Sequence, residues 1–236
     1  MKPTVRSFAI LAVAVLASAA LSGCLGPAKG TVKREEGKAH DWARDHWSKN
    51  ASYVGAFGME GHSETIDEFD YTPWPSGDAQ VGQLFARAKN DSNVGDGKAE
   101  AWAFGFISDE KPHQILVVFV DRGGKIVANL TFPRDPDLPI YNAIGKYKIN
   151  SDKALSIAKK NDKNLSKGLE MPDRVVFVVL IRLNPIQAPM WFIAGGGGEL
   201  GEGVESDDFV GGFAVVDAIT GRIWCTSDRC FFLDGF

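Results

Sequence analysis

Acidic side chains are gathered in one glycine-rich stretch of the chain, and carboxylates are groups that bind hard cations. Five of them lie within residues 195–208: Glu199, Glu202, Glu205, Asp207 and Asp208. Oxygen ligands on a flexible loop suit calcium, but this spacing matches no calcium motif, and acidic glycine-rich connections are commonly only solvated. The stretch is a weak candidate for a metal site, and the sequence predicts no cofactor.

The histidines and hydroxyl groups do not indicate an active site. His40 and His46 are six residues apart, which places them about 120° from each other on a helix, whereas zinc pairs on one helix use i, i+4 spacing. The sequence contains no Gly-x-Ser-x-Gly motif, and we assign no catalytic residue. An unrecognised extracytoplasmic hydrolase or metal-dependent enzyme remains an alternative.

A cysteine near the N-terminus, Cys24, stands directly behind an apolar segment. The segment runs over residues 8–21, shorter than the roughly 20 apolar residues that a spanning helix needs, and is typical of a secretory signal. Leu21-Ser22-Gly23-Cys24 resembles the lipobox of prokaryotic lipoproteins. The resemblance implies cleavage after Gly23, a diacylglyceryl anchor on Cys24 and a place on the extracytoplasmic face of the cell membrane. The alternative is an ordinary secretory signal with an incidental cysteine.

Two further cysteines, Cys225 and Cys230, stand close together near the C-terminus. Exported proteins meet an oxidising compartment, where paired cysteines tend to be bridged. The four residues between them are turn formers. We therefore predict a disulfide that holds the C-terminal tail, residues 226–236; two free thiols are the alternative.

Four Asn-x-Ser/Thr sequons occur, at Asn50, Asn90, Asn129 and Asn164. About one is expected by chance, so the excess favours a glycosylated extracellular surface. Accidental matches to so short a pattern remain the alternative.

The charge balance bears on the kind of partner. Lys2 and Arg6 belong to the segment that cleavage would remove, which leaves 24 basic and 30 acidic side chains, a formal charge of −6. This argues against a nucleic-acid partner and against a basic membrane-binding face. Apolar residues at 44% are sufficient for a packed core.

Two parts of the chain repeat one order of features. Each has a helical pattern with a polar cap, over 77–90 and 150–161, followed by a strand that opens on tryptophan. An apolar strand that ends in aspartate and a glycine-containing turn come next. The matching residues are Trp102 and Trp191, Asp121 and Asp217, and Gly124 and Gly221. A long strand over 174–183 is predicted in the second part, and its counterpart in the first is missing or irregular, within 91–100.

The order of helix, strands and the stretch FAVVDAITGRI (213–223) resembles the PepSY family. The match covers residues 148–225, and more weakly 77–132, where the turn lacks the threonine. The resemblance implies an α+β fold of two tandem helix-plus-antiparallel-sheet units with an N-terminal helix. It also implies a non-catalytic module that binds or inhibits peptidases.

The predicted organisation follows: a signal peptide (1–23), a tether (24–32), an N-terminal helix with a connecting segment (33–76), the two PepSY-like units (77–132 and 148–225) and the tail. The predicted function is a membrane-anchored extracytoplasmic lipoprotein that acts as a binding or peptidase-inhibitory module. Its expected partners are the membrane, through Cys24, and a secreted or membrane peptidase or other envelope protein. A structural envelope component is a further alternative.

Overall fold

A computed structural model describes residues 30–62, 93–134, 142–182, 188–198 and 210–230. These residues form three helices: α1 (Val32–His46), α2 (Ser151–Asn161) and α3 (Lys163–Gly168). They also form nine strands: β1 (Ser52–His62), β2 (Ala101–Ile107), β3 (Gln114–Asp121), β4 (Ile126–Pro133), β5 (Asp173–Ile181), β6 (Met190–Gly198), β7 (Val210–Asp217), β8 (Ile223–Thr226) and β9 (Arg229–Cys230). Within these ranges no helix has the length and apolar character needed to cross a membrane.

All nine strands belong to one antiparallel sheet, in the order β4-β3-β2-β1-β5-β6-β7-β8-β9. The predicted fold class of two tandem helix-plus-antiparallel-sheet units is therefore wrong, and a single sheet dominates the architecture. The sheet is continuous because β1 and β5 pair with each other, from Gly55 opposite Ile181 to His62 opposite Arg174. This pairing satisfies backbone groups that two separate sheets would each leave at an open edge.

The pairing register repeats within this one sheet. It contains two four-stranded meanders, β1 to β4 and β5 to β8. A β-bulge follows Phe119 on β3 and, at the equivalent place, Val215 on β7. Five consecutive β1–β5 pairs, from Gly55–Ile181 to Met59–Phe177, are arranged symmetrically about Phe57 and Val179. A two-fold rotation about the Phe57–Val179 pair therefore relates the strand pairing of β1 to β4 to the strand pairing of β5 to β8.

A tryptophan in each half lies beneath the start of a helix. Trp102 Nε1 donates to Gly30 O at 3.0 Å, and Gly30 stands two residues before α1. Trp191 Nε1 donates to Ile149 O at 2.9 Å, and Ile149 stands two residues before α2. In the first half, α1 therefore holds the position that α2 holds in the second. The helix predicted over 77–90 lies outside the described residues.

Strand β1 is the first half's counterpart of β5, although the sequence placed that counterpart within 91–100. Residues 93–100 form turns instead. The glycines of β1 make it difficult to recognise as a strand from the sequence, because glycine is depleted in strands. Gly58 is needed where it stands, since a Cβ there would lie 2.5 Å from Trp102 Cζ3. At Gly55 a Cβ would lie 2.7 Å from the Leu180 carbonyl oxygen.

Apolar side chains are buried on both faces of the sheet. The larger cluster lies on the face that carries the three described helices, and Ala39, Leu155 and Leu165 of those helices belong to it. A second cluster, which includes Phe57 and Phe119, lies on the opposite face. Burial on both faces accounts for the unbroken apolar run of β3.

Asp162 joins α3 to the last hairpin and is itself fully buried. Its Oδ1 accepts from Leu165 N at 2.8 Å as the N-cap of α3, and its Oδ2 accepts from Ser227 N at 2.7 Å, in the turn between β8 and β9. Burial alone would raise the pKa of this carboxyl group. The hydrogen bonds from Leu165, Ser227 and Asn164 outweigh burial and hold the pKa below its usual value.

Candidate functional site

The first turns of α1 and α2 share their capping groups. Asn150 Oδ1 accepts from Ser151 N at 3.0 Å and from Lys33 N at 3.1 Å. Ser151 Oγ accepts from Val32 N at 3.4 Å. Thr31, the N-cap of α1, makes no side-chain capping bond. One asparagine thus satisfies free N–H groups of both helices and ties the N-terminal ends of α1 and α2 together.

Helix α1 carries a buried carboxylate where α2 carries a small apolar residue. Counted from the first residue of each helix, Glu35 corresponds to Ala154, and both are 0% exposed. Arg34 Nε and Lys38 Nζ each lie 3.4 Å from a Glu35 oxygen. A buried charge is tolerated only with such partners. Arg34 and Lys38 therefore compensate the charge of Glu35. The fold does not require this charge, because Ala154 takes the equivalent place in α2.

A second ion pair lies in the β3–β4 turn beside α1. Arg122 pairs with Glu100, whose side chain is 4% exposed. Arg122 stands directly after the last residue of β3, where the corresponding residue after β7 is the fully buried Ala218. A Cβ at Gly124 in the same turn would collide with Lys38 Nζ, which shows how closely the turn and α1 approach. The first half of the sheet thus gathers charged side chains at positions that are apolar in the second.

Two tyrosines lie next to the first turn of α1. Tyr147 Oη donates to Glu36 Oε2 at 2.6 Å, and Lys33 Nζ lies 5.1 Å from the centre of the Tyr147 ring. Burial, the hydrogen bond to Glu36 and its charge raise the pKa of Tyr147 well above its usual value. Burial and the nearby Tyr147 and Glu36 likewise raise the pKa of Tyr53. Both phenols are therefore protonated at neutral pH, and Tyr147 acts as a hydrogen-bond donor.

Strand β4 forms one edge of the sheet, and no other described strand pairs with its outer side. Arg134 N donates to His113 O at 2.8 Å, in register with the β3–β4 pairs. Backbone groups in an antiparallel pair alternate between inward and outward directions. The N–H and C=O groups of Asn129 and Thr131 therefore point away from β3, and both residues are exposed.

Most predicted sites lie at the surface or outside the described ranges. Cys24 lies outside them, as do Asn90 and the acidic stretch Glu199, Glu202, Glu205, Asp207 and Asp208. Among the described residues, no group of three or more His, Cys, Asp or Glu side chains is placed to hold a metal ion. His40 and His46 contact backbone carbonyls of Ala51 and Trp42 respectively.

Cys225 and Cys230 lie opposite each other on the β8–β9 hairpin and form a disulfide. The described sequon asparagines, Asn50, Asn129 and Asn164, are all exposed. Asn50 Nδ2, the atom to which a glycan would be attached, donates to Glu110 Oε1 at 3.0 Å. The disulfide and the sequons thus occupy separate places and do not form one site.

The buried charges near α1 are absent from the sequence-based site predictions. The signal for Glu35 was available, since Val32, Glu35, Ala39 and Ala43 form the buried stripe of α1 at helical spacing. A glutamate within an apolar stripe indicates a buried ion pair. Arg122 and Glu100 gave no such signal, because each lies in a turn or loop beside the sheet rather than in a periodic element.

Comparison with protein-family models, with curated proteins and with solved structures finds no match for this chain.

Proposed function

We propose that the chain is a membrane-anchored extracytoplasmic lipoprotein whose folded part binds another protein without catalysing a reaction. Peptidase inhibition is the form of binding that the PepSY resemblance favours. The anchor in this proposal is a diacylglyceryl group on Cys24, and its support is the lipobox-like stretch that ends in that cysteine.

The observation that carries the binding proposal is the open edge of β4. The outward backbone groups of Asn129 and Thr131 can hydrogen-bond to an extended segment of a partner, which would then add a strand to the sheet. Main-chain hydrogen bonds supply affinity in this mode, and alternate side chains supply specificity. The partner we propose is a peptidase of the envelope that presents such a segment.

Thr131→Pro tests the edge directly. Proline removes the outward N–H but leaves the inward bonds of Leu130 and Phe132 to β3 in place, and edge strands tolerate proline at such positions. Thr131→Val is the matched control, because it keeps the N–H and, like the proline variant, destroys the sequon at Asn129. The two variants therefore differ in the edge and not in glycosylation.

The measurement is capture of envelope proteins by the solubilised lipoprotein, followed by assay of the captured peptidase on a peptide substrate. We expect the wild type and Thr131→Val to capture and inhibit a peptidase, and Thr131→Pro to lose at least tenfold in both, as roughly 1.4 kcal/mol of lost bonding would give. Equal capture by the proline variant would refute binding through β4. Turnover of a generic substrate panel by the purified chain, with no peptidase captured, would support an enzyme instead.

Cys24→Ser tests the anchor separately. Without the thiol no diacylglyceryl group can be attached, so we expect the variant outside the membrane fraction or unprocessed. A variant that stays in the membrane fraction with the processed mass of the wild type would show that the anchor is wrong.

A further inference from the structure

Six exposed cationic side chains surround the start of α1: Lys33, Arg34, Lys38, Lys125, Lys146 and Lys148, here called the basic surface. Contacts bring together the segments that carry them, and Lys146 and Lys148 flank Tyr147, which donates to Glu36 of α1. Lys33 Nζ donates to Lys148 O at 3.0 Å. Lys38 reaches Gly124, the neighbour of Lys125. The average charge of the chain, which argued against a basic membrane-binding face, does not describe this region.

Most acidic side chains of the same region are turned away from solvent or held by other groups; Asp152, in the first turn of α2, is partly exposed. Glu35 is 0% exposed and Glu100 is 3% exposed. Glu36 accepts the hydrogen bond of Tyr147, and Asp121 Oδ1 accepts from two N–H groups of its own turn. The solvent around the start of α1 therefore meets mainly positive charge.

Helix stability does not explain this placement. Lys33 and Arg34 lie in the first turn of α1, where the helix dipole disfavours cations. The burial of Glu35 requires a counter-charge, and Arg34 and Lys38 supply it. Lys125, Lys146 and Lys148 have no carboxylate partner among the described ion pairs. These three lysines add positive charge beyond what the fold needs.

The basic surface lies where a lipid anchor would bring it to the membrane. Gly30, at the start of the described chain, is fixed to Trp102 next to this surface. Cys24 precedes Gly30 by six residues. A chain extends at most about 3.6 Å per residue, so Gly30 can stand no further than about 22 Å from the anchored residue.

We propose that the basic surface faces the bilayer and binds anionic lipid headgroups, which orients the domain on the membrane; this rests on the lipid anchor proposed above. Each lysine close to an anionic membrane increases the constant for membrane binding about fivefold at physiological salt. The anchor supplies attachment, and the basic surface selects which side of the domain turns to the lipid. The β4 edge is then presented in a defined direction for a partner.

Lysine labelling of the anchored protein tests this orientation. The purified mature lipoprotein is inserted into nanodiscs of phosphatidylglycerol or of phosphatidylcholine, and the acetylation rate of each lysine is measured by mass spectrometry. We expect Lys33 and Lys38 to react several-fold more slowly in the anionic discs. Salt at 1 M, which shortens the screening length to about 3 Å, should remove the difference.

Two triple variants sharpen the test. The first variant combines Lys125→Gln, Lys146→Gln and Lys148→Gln. It should lower the constant for binding of the basic surface to anionic lipid roughly a hundredfold and abolish the protection of Lys33 and Lys38. The control changes the exposed Lys160, Lys163 and Lys167 to glutamine. Lys160 lies near the end of α2, and Lys163 and Lys167 lie in α3. The last residue of α2 is about 15 Å from Ser151 by helical rise, so the protection of Lys33 and Lys38 should remain.

The outcomes separate the two proposals. An intact mass that shows the lipid, with equal labelling in both kinds of disc, overturns the basic surface and leaves the anchor standing. An intact mass without lipid overturns the anchor and this orientation together. Loss of protection in the control variant overturns the assignment to this surface, because charge elsewhere would then be sufficient.

Discussion

The Asp162 side chain offers a measurable test of how α3 is held against the last hairpin. Replacement by alanine removes the N-cap of α3, which costs about 1 kcal/mol. It also removes the acceptor of the Ser227 N–H; because Ser227 is exposed, water can take the place of the carboxylate, and the lost bond costs about 0.5–1.5 kcal/mol. We therefore expect Asp162→Ala to lower the free energy of unfolding by about 1.5–2.5 kcal/mol at pH 7, measured by urea unfolding.

The pH dependence of this difference follows from the lowered pKa of Asp162. A carboxyl group whose folded pKa is lowered stabilises the fold above its unfolded pKa of about 3.9. The stabilisation is lost as the pH falls through the folded pKa. The difference in the free energy of unfolding between wild type and Asp162→Ala should therefore become smaller below about pH 4. Asp152→Ala is the control, since Asp152 Oδ1 accepts only from the adjacent Lys153 N. A loss below about 0.5 kcal/mol for Asp162→Ala, or a gap that is the same at pH 3 and pH 7, would refute the reasoning.

Two further changes test the packing and the disulfide. Gly58→Ala places a Cβ against the Trp102 ring and should lower the free energy of unfolding by about 1–3 kcal/mol; an unchanged urea midpoint would show that the ring moves freely. The unreduced protein should contain no alkylatable thiol at Cys225 or Cys230, and reduction should lower stability by only about 2 kcal/mol because the closed loop is short. Complete unfolding on reduction would contradict this limited role.

Local signals in the sequence located several parts of the fold. Asp121 and Asp217 end their strands and accept hydrogen bonds from the N–H groups of the turns that follow. Gly124 and Gly221 adopt positive φ angles of 80° and 76° in those turns, a conformation that favours glycine. These positions were predictable because each depends on chemistry within a few residues.

The arrangement of the strands was not predictable in the same way. The pairing of β1 with β5 depends on residues far apart in the chain, and Gly55 and Gly58 concealed β1 as a strand. A glycine that makes room for a tryptophan on the next strand looks, in the sequence alone, like a break in the sheet. The β4 edge was hidden for a related reason, since only the strand order shows which strand is outermost.

The β1–β5 pairing also bears on how the chain folds. Phe57 lies opposite Val179, 122 residues further along the chain, whereas β3 and β4 are joined by a short turn. Closing a long loop is entropically costly, and contacts between distant residues slow folding. We expect the local hairpins to form first and the central pair to close last. In pulsed hydrogen exchange during refolding, amides of β3 and β7 should gain protection before the amides of β1 and β5 that bond across the central pair, and the reverse order would contradict this sequence of events. A chain still being synthesised would then expose the unpaired edge of β1 until β5, which ends at residue 181, has been delivered.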